Sequence, residues 1–200
     1  MTDGRVGRLL PACLHEAIAD LLPYRLDFYE EWLDPDDMRD GTVSVAATSA
    51  VLSFLRTEGE SYRLVMDRAG TLAAEWTVSS LPAWRRRLIA GLPRALRVRS
   101  GLRVAAGVAR SVLHTSQAKS RVRRGKAWLD VTASLFCSVR EPQPVPLCGF
   151  YAAVAVETLR RLGVPAQARV EQCRAVTGAT CRVLVEPFSA EAAPDPAIAA

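Results

Sequence analysis

Cys148, Cys173 and Cys181 restrict this chain more than any other feature, because they sit in one closing stretch, CGFYAAVAVETLRRLGVPAQARVEQCRAVTGATC. The first opens an apolar run of helical period. The other two flank a short turn containing Gly178, with seven residues between them. A helix followed by a hairpin brings such residues together, and three convergent thiols in a reduced compartment form either a zinc site or an inert cluster. A Cys173–Cys181 disulfide across the hairpin is the third reading. Cys148 begins its helix, where free N–H groups and the positive dipole end favour a thiolate. Simple alternation puts Cys173 on the polar row with Gln167, Arg169 and Glu171, whereas Cys181 shares a row with Val183 and Val185. A bulge or the turn has to reconcile the two rows if the thiols meet.

The same stretch resembles the closing motif of the 4-vinyl-reductase domain family. The shared features are a helix opened by Cys-Gly-Phe-Tyr, a Leu-Gly-Val-Pro exit, a strand ending in Glu-Gln-Cys, then Gly and Cys. That family includes a protein linked to bacteriochlorophyll synthesis and the sensory domains of phenol- and toluene-responsive activators. It is related to the small subunits of the TRAPP vesicle-tethering complex. The resemblance spans roughly Pro146 to Glu186, and a looser one to the bacteriochlorophyll branch runs from Leu92 to Arg124. The first ninety residues or so fit in the order and size of their elements.

The resemblance implies a structural zinc held by three cysteines and a glutamate, with Cys148, Cys173 and Cys181 at the cysteine positions. The family's glutamate position is occupied here by Val170, so Glu171, one residue on, is the first candidate for the fourth ligand. Cys137 or a water would complete four-coordination otherwise. Phe150 and Tyr151 fall where the related sensors build part of a ligand pocket. With Trp32, Trp76 and Trp84 they are the candidate ligand contacts. These aromatic residues, together with Phe28 and Tyr29, either line a pocket for a flat apolar molecule or fill the core.

Residues 1–188 read as one domain and 189–200, rich in Ala and Pro, as a disordered tail. Half the residues are apolar, enough for a core, and no run is long enough to cross a membrane. Five cysteines without a secretory signal point to a reducing, cytoplasmic setting. Charge is unevenly spread. Residues 1–83 carry 14 acids and 7 bases, while residues 84–126 carry 13 bases and no acid. That basic block is either a solvated or self-paired face or an attractor for an anionic partner. An anionic membrane surface and the carboxylates of a tetrapyrrole both fit it. Nucleic acid is disfavoured, because Trp128 is the one aromatic near the densest run, RVRRGK.

Apolar residues at helical spacing predict helices over 9–22, 25–33, 43–57, 82–90, 93–113 and 148–162. Residues 62–78 are ambiguous, with a weak point at Gly70. Leu129, Val131, Ala133, Leu135, Cys137 and Val139 alternate with polar residues and predict one strand, paired with 117–124 through a turn near Gly125. On this reading Cys137, like Cys13, is a core residue. Strands 164–173 and 180–186 close an α+β domain, helices first and an antiparallel sheet with one late helix after.

No triad, dinucleotide turn or phosphate loop is present, and His15 and His114 read as structural. The sequence therefore favours a binding domain over an enzyme. The expected ligand is an apolar planar small molecule, an aromatic or a tetrapyrrole, with zinc as a structural cofactor and signalling through a protein partner. A homodimeric adapter of TRAPP type and a reductase-like protein of bacteriochlorophyll synthesis are the alternatives.

Overall fold

The computed structural model describes residues 6–123, 125–177 and 180–188. The expected tail and Gly178 lie outside them. The elements are α1 (Leu9–Leu21), α2 (Leu26–Glu30), α3 (Pro35–Asp40), α4 (Val45–Thr57), α5 (Glu60–Ser80), α6 (Ala83–Ala90), α7 (Arg94–Ser111), β1 (Gln117–Arg123), β2 (Lys126–Thr132), α8 (Gly149–Arg161), β3 (Ala166–Gln172), α9 (Arg174–Thr177) and β4 (Cys181–Pro187). The fold is α+β, as the order of periodicities predicts. Among the described residues, no helix is long and apolar enough to cross a membrane.

Helix starts follow local chemistry. The Asp34 carboxylate accepts from the N–H groups of Asp36 and Asp37 and so starts α3. The Ser44 hydroxyl caps α4 through Ala47 N–H. The ambiguous segment resolves as α5, a 21-residue helix running straight through Gly70. Packing explains that glycine. A Cβ there would stand 2.5 Å from the Phe150 carbonyl oxygen and 2.8 Å from Ala153 Cβ. Only a bare Cα lets α5 approach the backbone of α8 this closely, which offsets the roughly 1 kcal/mol that glycine costs inside a helix.

The sheet has the order β1-β2-β4-β3, antiparallel throughout. Its inner face, with Ala118, Ala127, Leu129, Val131, Val183 and Val185, is buried. Helices α7 and α8 cover that face, α5 packs on α8, and α1 packs on α5. The outer face is charged. Asp130 receives Arg121 at 2.7 Å and Arg182 at 2.6 Å, and Glu186 receives Lys126 and Arg169. An antiparallel sheet with one covered face reads as this kind of alternation.

Two departures from the periodicity position the cysteines. The strand expected to reach Val139 ends at Thr132, because Ala133 adopts φ 53°, a left-handed conformation that an alanine rarely takes. A 3-10 turn over Leu135–Cys137 then replaces the outer half of the expected strand. In β3 the register against β4 shifts between Val170 and Gln172. That irregularity changes the facing of the residues after it, and Cys173 is the next but one.

Candidate metal centre

Four segments deliver four sulfur atoms to one place. Cys137 ends the 3-10 turn. Cys148 is the N-cap of α8. Cys173 lies between β3 and α9, and Cys181 is the first residue of β4, opposite Val131 of β2. The four Sγ atoms all lie within 4.8 Å of one another, and all four residues are buried. Cys137 Sγ is 3.4 Å from Cys173 Sγ and 3.4 Å from Cys181 Sγ. All five cysteines of the chain are free thiols.

The surroundings act on the sulfurs electrostatically. Hydrogen bonds from Cys137, then from Cys148 and Cys181, hold the Cys173 thiol well below its usual range, and the backbone N–H of Leu147 adds to this at 3.4 Å. The Cys148 thiol moves up, pushed by the neighbouring sulfurs of Cys137, Cys173 and Cys181 and by burial. A thiolate is what a soft metal needs.

The donor set fits zinc. Four thiolates at about 2.3 Å from a tetrahedral ion stand about 3.8 Å from one another. The observed sulfur separations, 3.4 Å for the two pairs given above and none beyond 4.8 Å, bracket that spacing. A zinc tetrathiolate carries two negative charges, and Arg56 supplies a nearby cation. Its guanidinium donates to the carbonyl of Phe136, the neighbour of Cys137, at 3.1 Å. Its buried Nε has no partner among the described residues.

Buried contacts surround the sulfurs. The Tyr62 hydroxyl donates to the Leu147 carbonyl at 2.8 Å, pinning the segment that leads into Cys148. Phe136, Phe150 and Tyr151 pack together with ring centres 4.9 to 5.6 Å apart. The Tyr151 hydroxyl donates to Ser134 Oγ at 3.3 Å, and burial pushes that phenol well above its usual range.

Of the residues singled out from sequence, Cys148, Cys173 and Cys181 come together, as do Phe150 and Tyr151. Glu171 does not join them: it is exposed on β3. Cys137 stands in the fourth corner instead. Periodicity placed it on the apolar face of a continuing strand; the break at Ala133 is what redirects it. Trp32 beyond α2, Trp76 on α5 and Trp84 on α6 are exposed, whereas Phe150 and Tyr151 are buried. Cys13 is buried in α1, away from the sulfur group, and burial raises its thiol to about 12.

No family model matches this sequence, and no curated protein matches it. Among solved structures, one neighbour is the phenol-responsive sensory domain of the transcription activator PoxR, solved with phenol. It has a TM-score of 0.47 and 19% identity over 72% of this chain and 74% of that one. Another is trafficking protein particle complex subunit 3 from Naegleria fowleri, covalently bound to palmitic acid. Its TM-score is 0.45 and its identity 13%, over 72% of this chain and 82% of that one. Neither likeness identifies a residue of this chain as functional.

Proposed function

We propose that this chain is a small-molecule-binding domain, a sensor or carrier for an apolar planar ligand, organised around a structural zinc. Cys137, Cys148, Cys173 and Cys181 are the zinc ligands. A site with four thiolates is closed, so the metal's role is to hold the frame rather than to activate a substrate. The observation that carries the reading is that the same two segments supply both parts. Residues 134–137 and 147–151 bring two of the four sulfurs and all three rings of the aromatic cluster.

Phe136, Phe150 and Tyr151 are the surface such a ligand would stack on, with the Tyr151 hydroxyl and Ser134 as its polar handle. These rings are fully packed against one another, so a ligand enters by parting them. Entry then shifts α8 against the 3-10 turn, which is how occupancy would reach the outside of the domain. The sequence resemblance over Pro146–Glu186 supports this reading.

Thermal unfolding with a monocyclic phenol and with a porphyrin tests it. At least one of them raises the melting temperature in a concentration-dependent way. Tyr151→Phe, which keeps the ring and removes the handle, weakens the shift. Stability unchanged by either compound, at saturating concentration, contradicts the ligand reading while leaving the metal centre standing.

A homodimeric adapter is the second reading, favoured by one patch. Phe28 and Phe54 meet edge to face at 5.0 Å, Trp32 lies 6.1 Å from Phe54, and all three are more than a third exposed. Aromatic residues in such a patch suit a protein interface. Sedimentation of the wild type as a dimer and of Trp32→Glu as a monomer would support it.

A further inference from the structure

β1 is an edge strand. It pairs with β2 on one side, and among the described residues no backbone group bonds to its other side. Its free edge is not flush with the surface. A groove of about 600 Å3 wraps around it, lined mainly by Arg103 and Arg110 of α7, by Lys119, Ser120 and Arg121 of β1, and by Asp130 of β2, whose carboxylate is already held by Arg121 and Arg182. A second hollow of about 230 Å3 shares Arg103 and Ser120 and extends the groove to Arg99 and Val122.

The cations stand in two rows. Arg99, Arg103 and Arg110 are exposed on α7 beside the inward-facing residues of β1. Lys119, Arg121 and Arg123 alternate along the outward face of the strand. Asp130 pairs with Arg121. Among the described residues, Arg99, Arg103, Arg110, Lys119 and Arg123 make no ion pair at all.

We infer that this edge is the docking site for an extended acidic segment of a protein partner, which adds to the sheet as a fifth strand beside β1. A strand laid at the usual spacing of about 4.8 Å turns its side chains alternately to the two faces. Acidic residues on one face meet the α7 arginines, and those on the other meet Lys119, Arg121 and Arg123. Main-chain hydrogen bonds supply affinity and the two charge rows supply selectivity. A second copy of this chain fits badly, since two β1 edges would oppose like charges. The groove has no aromatic side chain for base stacking. Its cations flank a strand edge on two faces, which suits a chain better than a flat lipid surface.

The test uses the whole chain and a fluorescent peptide of about eight residues, Glu-Glu-Thr-Thr repeated so that each face of the strand carries glutamate, followed by anisotropy at low salt. The wild type binds it, and amide exchange slows along β1. The double variant R103E/R110E, both sites exposed, keeps its circular dichroism and melting temperature but binds at least about tenfold more weakly. N-methylation of alternate peptide bonds, which blocks strand pairing and leaves the charge intact, weakens binding as much. Equal binding of the N-methylated peptide would reduce the effect to bulk charge and overturn the proposal. So would absent binding of the parent peptide, or preference for oligo-dT or for phosphatidylserine vesicles over it.

Discussion

A thiol at position 137 and a carboxylate at position 171 make different demands on a zinc ion. The thiol is buried and 3.4 Å from two of the other sulfurs; the carboxylate is exposed on the outer half of β3. Cys137→Ser is therefore expected to lower zinc affinity by at least about tenfold, while Glu171→Gln leaves it unchanged, as read by competition with a chromophoric chelator. The reverse pattern would restore the three-cysteine, one-glutamate set that the family resemblance implies. Three of the four sulfur positions are legible from spacing alone. The fourth is hidden because the break falls on Ala133, a residue that rarely takes a left-handed conformation, so nothing in the sequence marks it. The facing of Cys173 is hidden in the same way. Its alternation points outward, and the register shift after Val170 is a tertiary event.

At the scale of elements, α8 positions the centre, with Cys148 at its N-cap and the aromatic pair in its first turn. The contact that seats it is the close approach of α5 at Gly70. Gly70→Ala would drive a methyl into the Phe150 carbonyl, and we expect a loss of about 1–3 kcal/mol in urea unfolding. Gly107 provides the internal contrast. It lies in α7 with nothing within 4 Å of where a Cβ would stand, so Gly107→Ala is expected to be neutral or to add up to about 1 kcal/mol. Equal effects at the two sites would mean that helix propensity, not interhelical contact, governs both. Here too the sequence shows only part of the picture. Amphipathic period reveals α1, α4 and α7, whereas α5 is ambiguous because its central glycine is explained by a partner helix distant in the chain. The strand order, with the last strand in the middle of the sheet, has no local signature.

Over the whole molecule, ion pairs and the sulfur cluster tie segments that are distant in the chain. Glu157 near the end of α8 is 8% exposed and binds both Arg160 and Arg161, the latter also held by Glu75. The Arg160 hydrogen bond above all, with Arg161, lowers its pKa against the opposing effect of burial. A carboxylate depressed in the folded state contributes stability above its unfolded value of about 4.3, and that contribution is lost as pH falls through the lower folded value. Glu157→Gln should accordingly be less stable than wild type at neutral pH and show a shallower loss below about pH 4, measured by urea midpoints across the acid range. An unchanged slope would remove this network from the acid response.

The larger tie is the sulfur centre, which joins residues as far apart as 137 and 181 and brings the start of α8 to the start of β4. X-ray absorption at the zinc edge of protein purified under reducing conditions tests it most directly. The account predicts one zinc per chain with four sulfur neighbours at about 2.3 Å. Three sulfurs with an oxygen in the fourth place would contradict the role given to Cys137. Metal-free protein of undiminished stability would return all four cysteines to the core.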